Sequence, residues 1–87
     1  MERVVMYGAD WCGDCRRAKR VLERGGVDYE YIDLVAEPER VDEARSIGKA
    51  TRIPVIVIPG GRVLVEPDDA ELEGALQDAG ALDSQRA

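Results

Sequence analysis

The chain of 87 residues is 45% hydrophobic and 34% charged, which fits one small domain with one core. A net charge of −6 argues against nucleic acid as a main partner, since phosphate binding needs a basic surface. With two cysteines and no histidine, imidazole chemistry is excluded and the thiols carry whatever reactivity there is.

Arg3 to Tyr7 is a compact apolar run with β-branched residues and predicts a buried strand, followed by a turn at Gly8-Ala9-Asp10. From Cys12 to Arg24 the pattern turns helical. Cys15, Ala18, Val21 and Leu22 form one stripe, the arginines form the other, and Gly25-Gly26 stops the helix. Asp28 to Leu34 predicts a second strand, carried mainly by Tyr29 and Tyr31 and less by Ile32. Glu37-Pro38-Glu39 marks a helix start, Val41, Ala44 and Ile47 give it an apolar face, and Gly48 ends it.

Thr51-Arg52-Ile53-Pro54 leads into a continuous apolar strand, Val55 to Ile58. Pro59-Gly60-Gly61 turns the chain, and Arg62 to Val65 pairs back as a hairpin. Glu66-Pro67 breaks that strand. Asp68 reads as an N-cap with Glu71 completing a capping box, and Leu72, Ala75, Leu76 and Ala79 point inward until Gly80. The order is β-α-β-α-β-β-α, an α/β sheet covered on both faces, with residues 1–82 as the domain and 83–87 as a loose tail. The longest apolar run, Ile53 to Pro59, is too short to span a bilayer. Met1-Glu2-Arg3 gives no basic, apolar leader, so a cytoplasmic location is expected.

Both cysteines lie in the tetrad Cys12-Gly13-Asp14-Cys15, at the junction of strand and helix. Free N–H groups and the dipole at a helix start favour negative charge, and a thiolate is the nucleophile of disulfide exchange. Cys12 is therefore the attacking sulfur, and Cys15, one turn on within the apolar stripe, is the resolving one. Asp14 competes for the same positive helix end; Arg16 and Arg17 are placed to offset it. Residues 1–26 hold six basic and four acidic side chains against six and fourteen in the remainder. The basic cluster after the cysteines is either a solvated helix face or a local field that attracts acidic partners. Two cysteines make half a zinc site, so a metal or bridged iron–sulfur centre would need a dimer or recruited carboxylates.

The stretch from Tyr7 through Trp11 to Cys15 after one strand, and Arg52-Ile53-Pro54 before another, resemble the glutaredoxin branch of the thioredoxin fold over about residues 2–80. Trp11 and the turn Glu66-Pro67-Asp68 look most like the mycoredoxin-type glutaredoxins of actinobacteria, which reduce mixed disulfides between proteins and mycothiol. Redoxins that feed ribonucleotide reductase are close relatives. The resemblance implies a four-stranded mixed sheet flanked by three helices, a cis Pro54, and an Ile53 backbone facing the substrate disulfide. Trp11 would then be a docking surface beside the attacking sulfur; the alternative is core packing.

Four features depart from the family pattern. Gly13-Asp14 replaces Pro-Tyr between the cysteines, Gly8-Ala9-Asp10 lacks the usual lysine, and Arg52 stands in the place of a threonine. Leu64 to Asp69 replaces the glycine pair that precedes the last helix, leaving Asp68 and Asp69 either to hold a cofactor's amine or to cap the helix. The expected function is thiol–disulfide exchange on protein disulfides or protein–thiol mixed disulfides, by a monomer without bound cofactor or metal. Mycothiol or glutathione would be the reductant. The alternatives are a thioredoxin-reductase-coupled redoxin donating to ribonucleotide reductase, a dimeric cluster or metal module, and a thioredoxin-fold adaptor for which both cysteines are dispensable.

Overall fold

A computed structural model describes residues 3–82; the expected tail at 83–87 lies outside the described residues. Strand β1 (Val4–Gly8) is followed by α1 (Gly13–Arg24), β2 (Tyr29–Asp33), a 3-10 turn (Pro38–Arg40), α2 (Val41–Gly48), β3 (Val55–Val57), β4 (Val63–Val65) and α3 (Asp69–Asp78). The sheet order is β2-β1-β3-β4. β1 runs parallel to β2, with Val4 opposite Tyr29 and Gly8 opposite Asp33, and antiparallel to β3. β3 and β4 form the antiparallel hairpin, which Ile58 extends by donating its N–H to the Arg62 carbonyl at 2.8 Å. The mixed four-stranded sheet and three helices are those of the thioredoxin fold.

Both faces of the sheet are covered, which explains why β1 and β3 read as unbroken apolar runs. On one face α1 and α3 bring Cys15, Ala18, Leu22, Leu72 and Leu76 against Val4, Met6 and Ile56. On the other, α2 sets Ala44 and Ile47 against Tyr7, Ile32 and Val55. Met6, Leu22, Ile56 and Leu76 are completely buried, each stabilising the fold by about 1.5–3 kcal/mol relative to exposure.

Several expected details are corrected. Arg3 lies outside β1, where its guanidinium pairs with Asp28 at 3.1 Å. In β2 the fully buried residue is Ile32, while Tyr29 and Tyr31 are half-buried with their hydroxyls held by Glu23 and Asp10. The second helix is preceded by a 3-10 turn, Pro38–Arg40, with Pro38 in its first positions and no side-chain cap from Glu37. Gly48 ends α2 as read, and the left-handed position after it is Lys49, with φ 55°. A Cβ on Gly48 would come within 3.0 Å of Val55, so the glycine serves close packing on β3. Ala79 is the exposed C-cap of α3, not an inward residue.

Candidate active site

The site begins where β1 runs out beneath α1. The Cys12 N–H donates to the Ala9 carbonyl at 3.1 Å, closing a turn that carries Asp10 and Trp11. Cys12 is the N-cap of α1, with extended backbone at φ −85° and ψ 119°. Its sulfur takes the place that serine or aspartate usually fills at a cap, accepting the Cys15 N–H at 3.4 Å. That amide is one of the donors left free at a helix start, and it now serves the sulfur.

Cys12 is partly exposed and Cys15 fully buried, as their places on the helix predict. Burial, foremost, pushes the Cys15 thiol up to about 12; the neighbouring Cys12 adds to the rise, and a hydrogen bond with the Ala9 backbone opposes it. Room for Cys15 comes from Gly8, where a Cβ would stand only 2.9 Å from its sulfur. The Cys12 thiol faces the Ile53 carbonyl at 3.9 Å, and the Ile53–Pro54 peptide is cis. Trp11 is 71% exposed, so core packing does not explain it.

The remaining candidates sit further out. Arg52 is exposed and pairs with Glu66 at 3.3 Å, while the Glu66 N–H donates to the Pro54 carbonyl at 2.9 Å. Asp68 caps α3: its carboxylate accepts the Glu71 N–H at 2.7 Å and Glu71 returns the bond to the Asp68 N–H. Asp69 is engaged by Arg17 at 2.9 Å.

Arg17 is the residue whose full role the sequence concealed. Its guanidinium donates to Asp14 at 2.6 Å, to Asp69 and to the Pro67 carbonyl at 2.9 Å, joining the starts of α1 and α3. The Asp14–Arg17 contact has the spacing of a helical ion pair and was readable; the bonds to Pro67 and Asp69 cross some fifty residues and were not. Arg17, rather than Arg16, thus neutralises Asp14. Arg16 instead donates to the Asp10 carbonyl at 2.8 Å. Tyr31 was also missed: its hydroxyl donates to Asp10 at 3.0 Å under a ring capped by Lys19, 4.1 Å from its centroid. Among the described residues no three His, Cys, Asp or Glu side chains converge as metal ligands, and no helix is long and apolar enough to cross a membrane.

The dithiol therefore sits at a helix start facing a cis proline. The family model described as Glutaredoxin matches residues 4–64. The chain belongs to the glutaredoxin family. It is 41% identical over 85 residues to a glutaredoxin of Pseudomonas aeruginosa, covering 97% of this chain and 95% of that one. Among solved structures it is similar to the glutaredoxin of Archaeoglobus fulgidus, with a TM-score of 0.77, 27% identity and 88% of each chain covered. It is also similar to the NrdH-redoxin of Escherichia coli, with a TM-score of 0.71, 26% identity, and 84% of this chain and 93% of that one covered. This glutaredoxin is accordingly a thiol–disulfide oxidoreductase.

Proposed function

We propose that this glutaredoxin reduces protein disulfides and protein–thiol mixed disulfides by a dithiol route, with Cys12 attacking and Cys15 resolving. The Cys12 thiolate attacks one sulfur of the substrate disulfide; a Cys12–substrate bond forms and the other sulfur leaves as a thiolate that takes up a proton. Cys15 then gives up its proton and attacks the Cys12 sulfur. The second substrate thiol is released and a Cys12–Cys15 disulfide remains, so two electrons have passed to the substrate. An external reductant restores the dithiol.

The observation that carries this reading is the Cys15 amide donating to the Cys12 sulfur at 3.4 Å while the Cys15 sulfur lies wholly buried. The outer sulfur accepts a backbone amide at the helix start, and the inner one is kept protonated by burial until a mixed disulfide forms above it. Trp11, exposed next to Cys12 in the chain, offers a flat apolar surface to the partner, and the Ile53 carbonyl lies 3.9 Å from the Cys12 sulfur.

A specific observation favours a second reading of the reductant. Asp68 and Asp69, the two carboxylates available to hold the amine of mycothiol or glutathione, are committed to the α3 cap and to Arg17. That suits a redoxin reduced directly by thioredoxin reductase and donating to ribonucleotide reductase, and the NrdH-redoxin of Escherichia coli, similar in fold, is described as having a thioredoxin-like activity profile. Turnover of an insulin-type disulfide is measured with NADPH and thioredoxin reductase, and separately with a low-molecular-weight thiol and its reductase. Turnover only with the thiol supports the first reductant, and turnover with the reductase alone supports the second. Absence of turnover with both, or full turnover by Cys12→Ser, overturns the dithiol route.

A further inference from the structure

Cys12, Arg16 and Arg20 follow one another at intervals of four residues, so they form a single row along α1. Each step rises about 6 Å along the axis. Arg16 is fixed at the first step, its guanidinium bonded to the Asp10 carbonyl at 2.8 Å and lying over Gly13, 3.8 Å from where a Cβ would stand. Arg20 is exposed at the second step. Among the described residues neither guanidinium has a carboxylate partner.

The other cations of α1 are matched. Arg17 holds Asp14 and Asp69, Lys19 holds Asp10 at 3.7 Å, and Arg24 holds Glu73 at 3.9 Å. Arg16 and Arg20 border a shallow depression with Asp10, Lys19 and Glu23. Asp10 is occupied there by Lys19 and Tyr31, and Glu23 accepts the Tyr29 hydroxyl. Glu23 keeps its charge in that bond, so the surface carries three cations against two carboxylates, a net positive charge in a chain with 18 acidic and 12 basic side chains. Trp11 stands exposed at the head of the row.

We infer that this row docks an acidic polypeptide segment adjoining the reactive cysteine of the substrate. The inference rests on the dithiol reading above. An extended chain advances about 3.3 Å per residue and sends alternate side chains to one side. Acidic residues second and fourth from the substrate cysteine thus advance by about 6.6 Å per pair of residues, close to the spacing of the arginines. An extended polypeptide places two carboxylates at this repeat, one for each arginine, over the roughly 12 Å from Cys12 to Arg20, and that is the occupant the row fits. Charge of this kind acts mainly on encounter and register, and it is screened by salt.

The test uses two disulfide-bearing peptides that differ only in carrying Asp or Lys at the second and fourth positions from the cysteine. At low salt the wild type is expected to show kcat/KM about three- to tenfold higher for the Asp peptide. The preference shrinks toward unity in about 0.5 M salt. Arg20→Glu removes or inverts the preference and Arg20→Lys keeps most of it. Equal kcat/KM for the two peptides in the wild type overturns the docking surface, as does a preference that Arg20→Glu leaves intact. Failure of the wild type to reduce both peptides contradicts the dithiol reading instead, so the two failures are told apart.

Discussion

The backbone amide of Cys15 points at the sulfur of Cys12 across 3.4 Å, although the Cys15 side chain turns away into the core. One residue thus supports the outer sulfur through its backbone and waits beneath it with its thiol. The asymmetry follows from helix geometry, since a cap residue and the third residue of the first turn share a face but not a depth.

Alkylation should be confined to one sulfur. With limiting iodoacetamide on the reduced protein near neutral pH, Cys12 is modified and Cys15 is not, because burial both shields Cys15 and holds its thiol up to about 12. Peptide mass spectrometry reads this directly. Equal labelling of both cysteines contradicts the arrangement.

Stability of the reduced protein should fall in alkali. Unfolded, the Cys15 thiol ionises near 9, whereas in the fold it keeps its proton up to about 12. Between those values the native state binds more protons than the unfolded state, so stability declines as pH rises. Tyr7 and Tyr29, pushed up to about 12 chiefly by burial, add to the decline from about pH 10. Urea unfolding at about pH 8 and about pH 10.5 measures the loss. Cys15→Ala should show a smaller loss over that interval than the wild type.

Gly8→Ala should destabilise the protein by about 1–3 kcal/mol, as small-to-large changes in tight packing do. The added carbon would meet the Cys15 sulfur at 2.9 Å and the end of Met6 at 3.3 Å. Thermal unfolding reads the change, and faster alkylation of Cys15 would accompany it as the sulfur is displaced.

Asp68→Ala should cost about 1 kcal/mol, the usual value of a lost N-cap. If capping is its whole role, kcat/KM with either reductant stays at the wild-type level. A selective rise in KM for the low-molecular-weight thiol would assign the carboxylate to thiol binding instead.

What could be read from the chain was whatever local periodicity encodes. The Cys15, Ala18, Val21, Leu22 stripe, the Asp68–Glu71 capping box and the hairpin around Pro59-Gly60-Gly61 depend on residues within a few positions of one another, and each is found as read. The exposed Cys12 and buried Cys15 follow from the same pattern. What was hidden depends on contacts between distant segments. Arg17 reaching Asp69, Tyr7 donating to Glu43, and the close packing of Gly48 on β3 all require the assembled fold. Ile32 was underrated beside two tyrosines because one strand gives no sign of which face the second helix will cover.

The most direct measurement is intact mass after mixing reduced protein with a disulfide substrate. Cys15→Ser is expected to accumulate a covalent adduct through Cys12 that a thiol reductant removes, while Cys12→Ser stays at its own mass and turns over no substrate. An adduct that accumulates on Cys12→Ser, through Cys15, would contradict the assignment of Cys12 as the attacking sulfur.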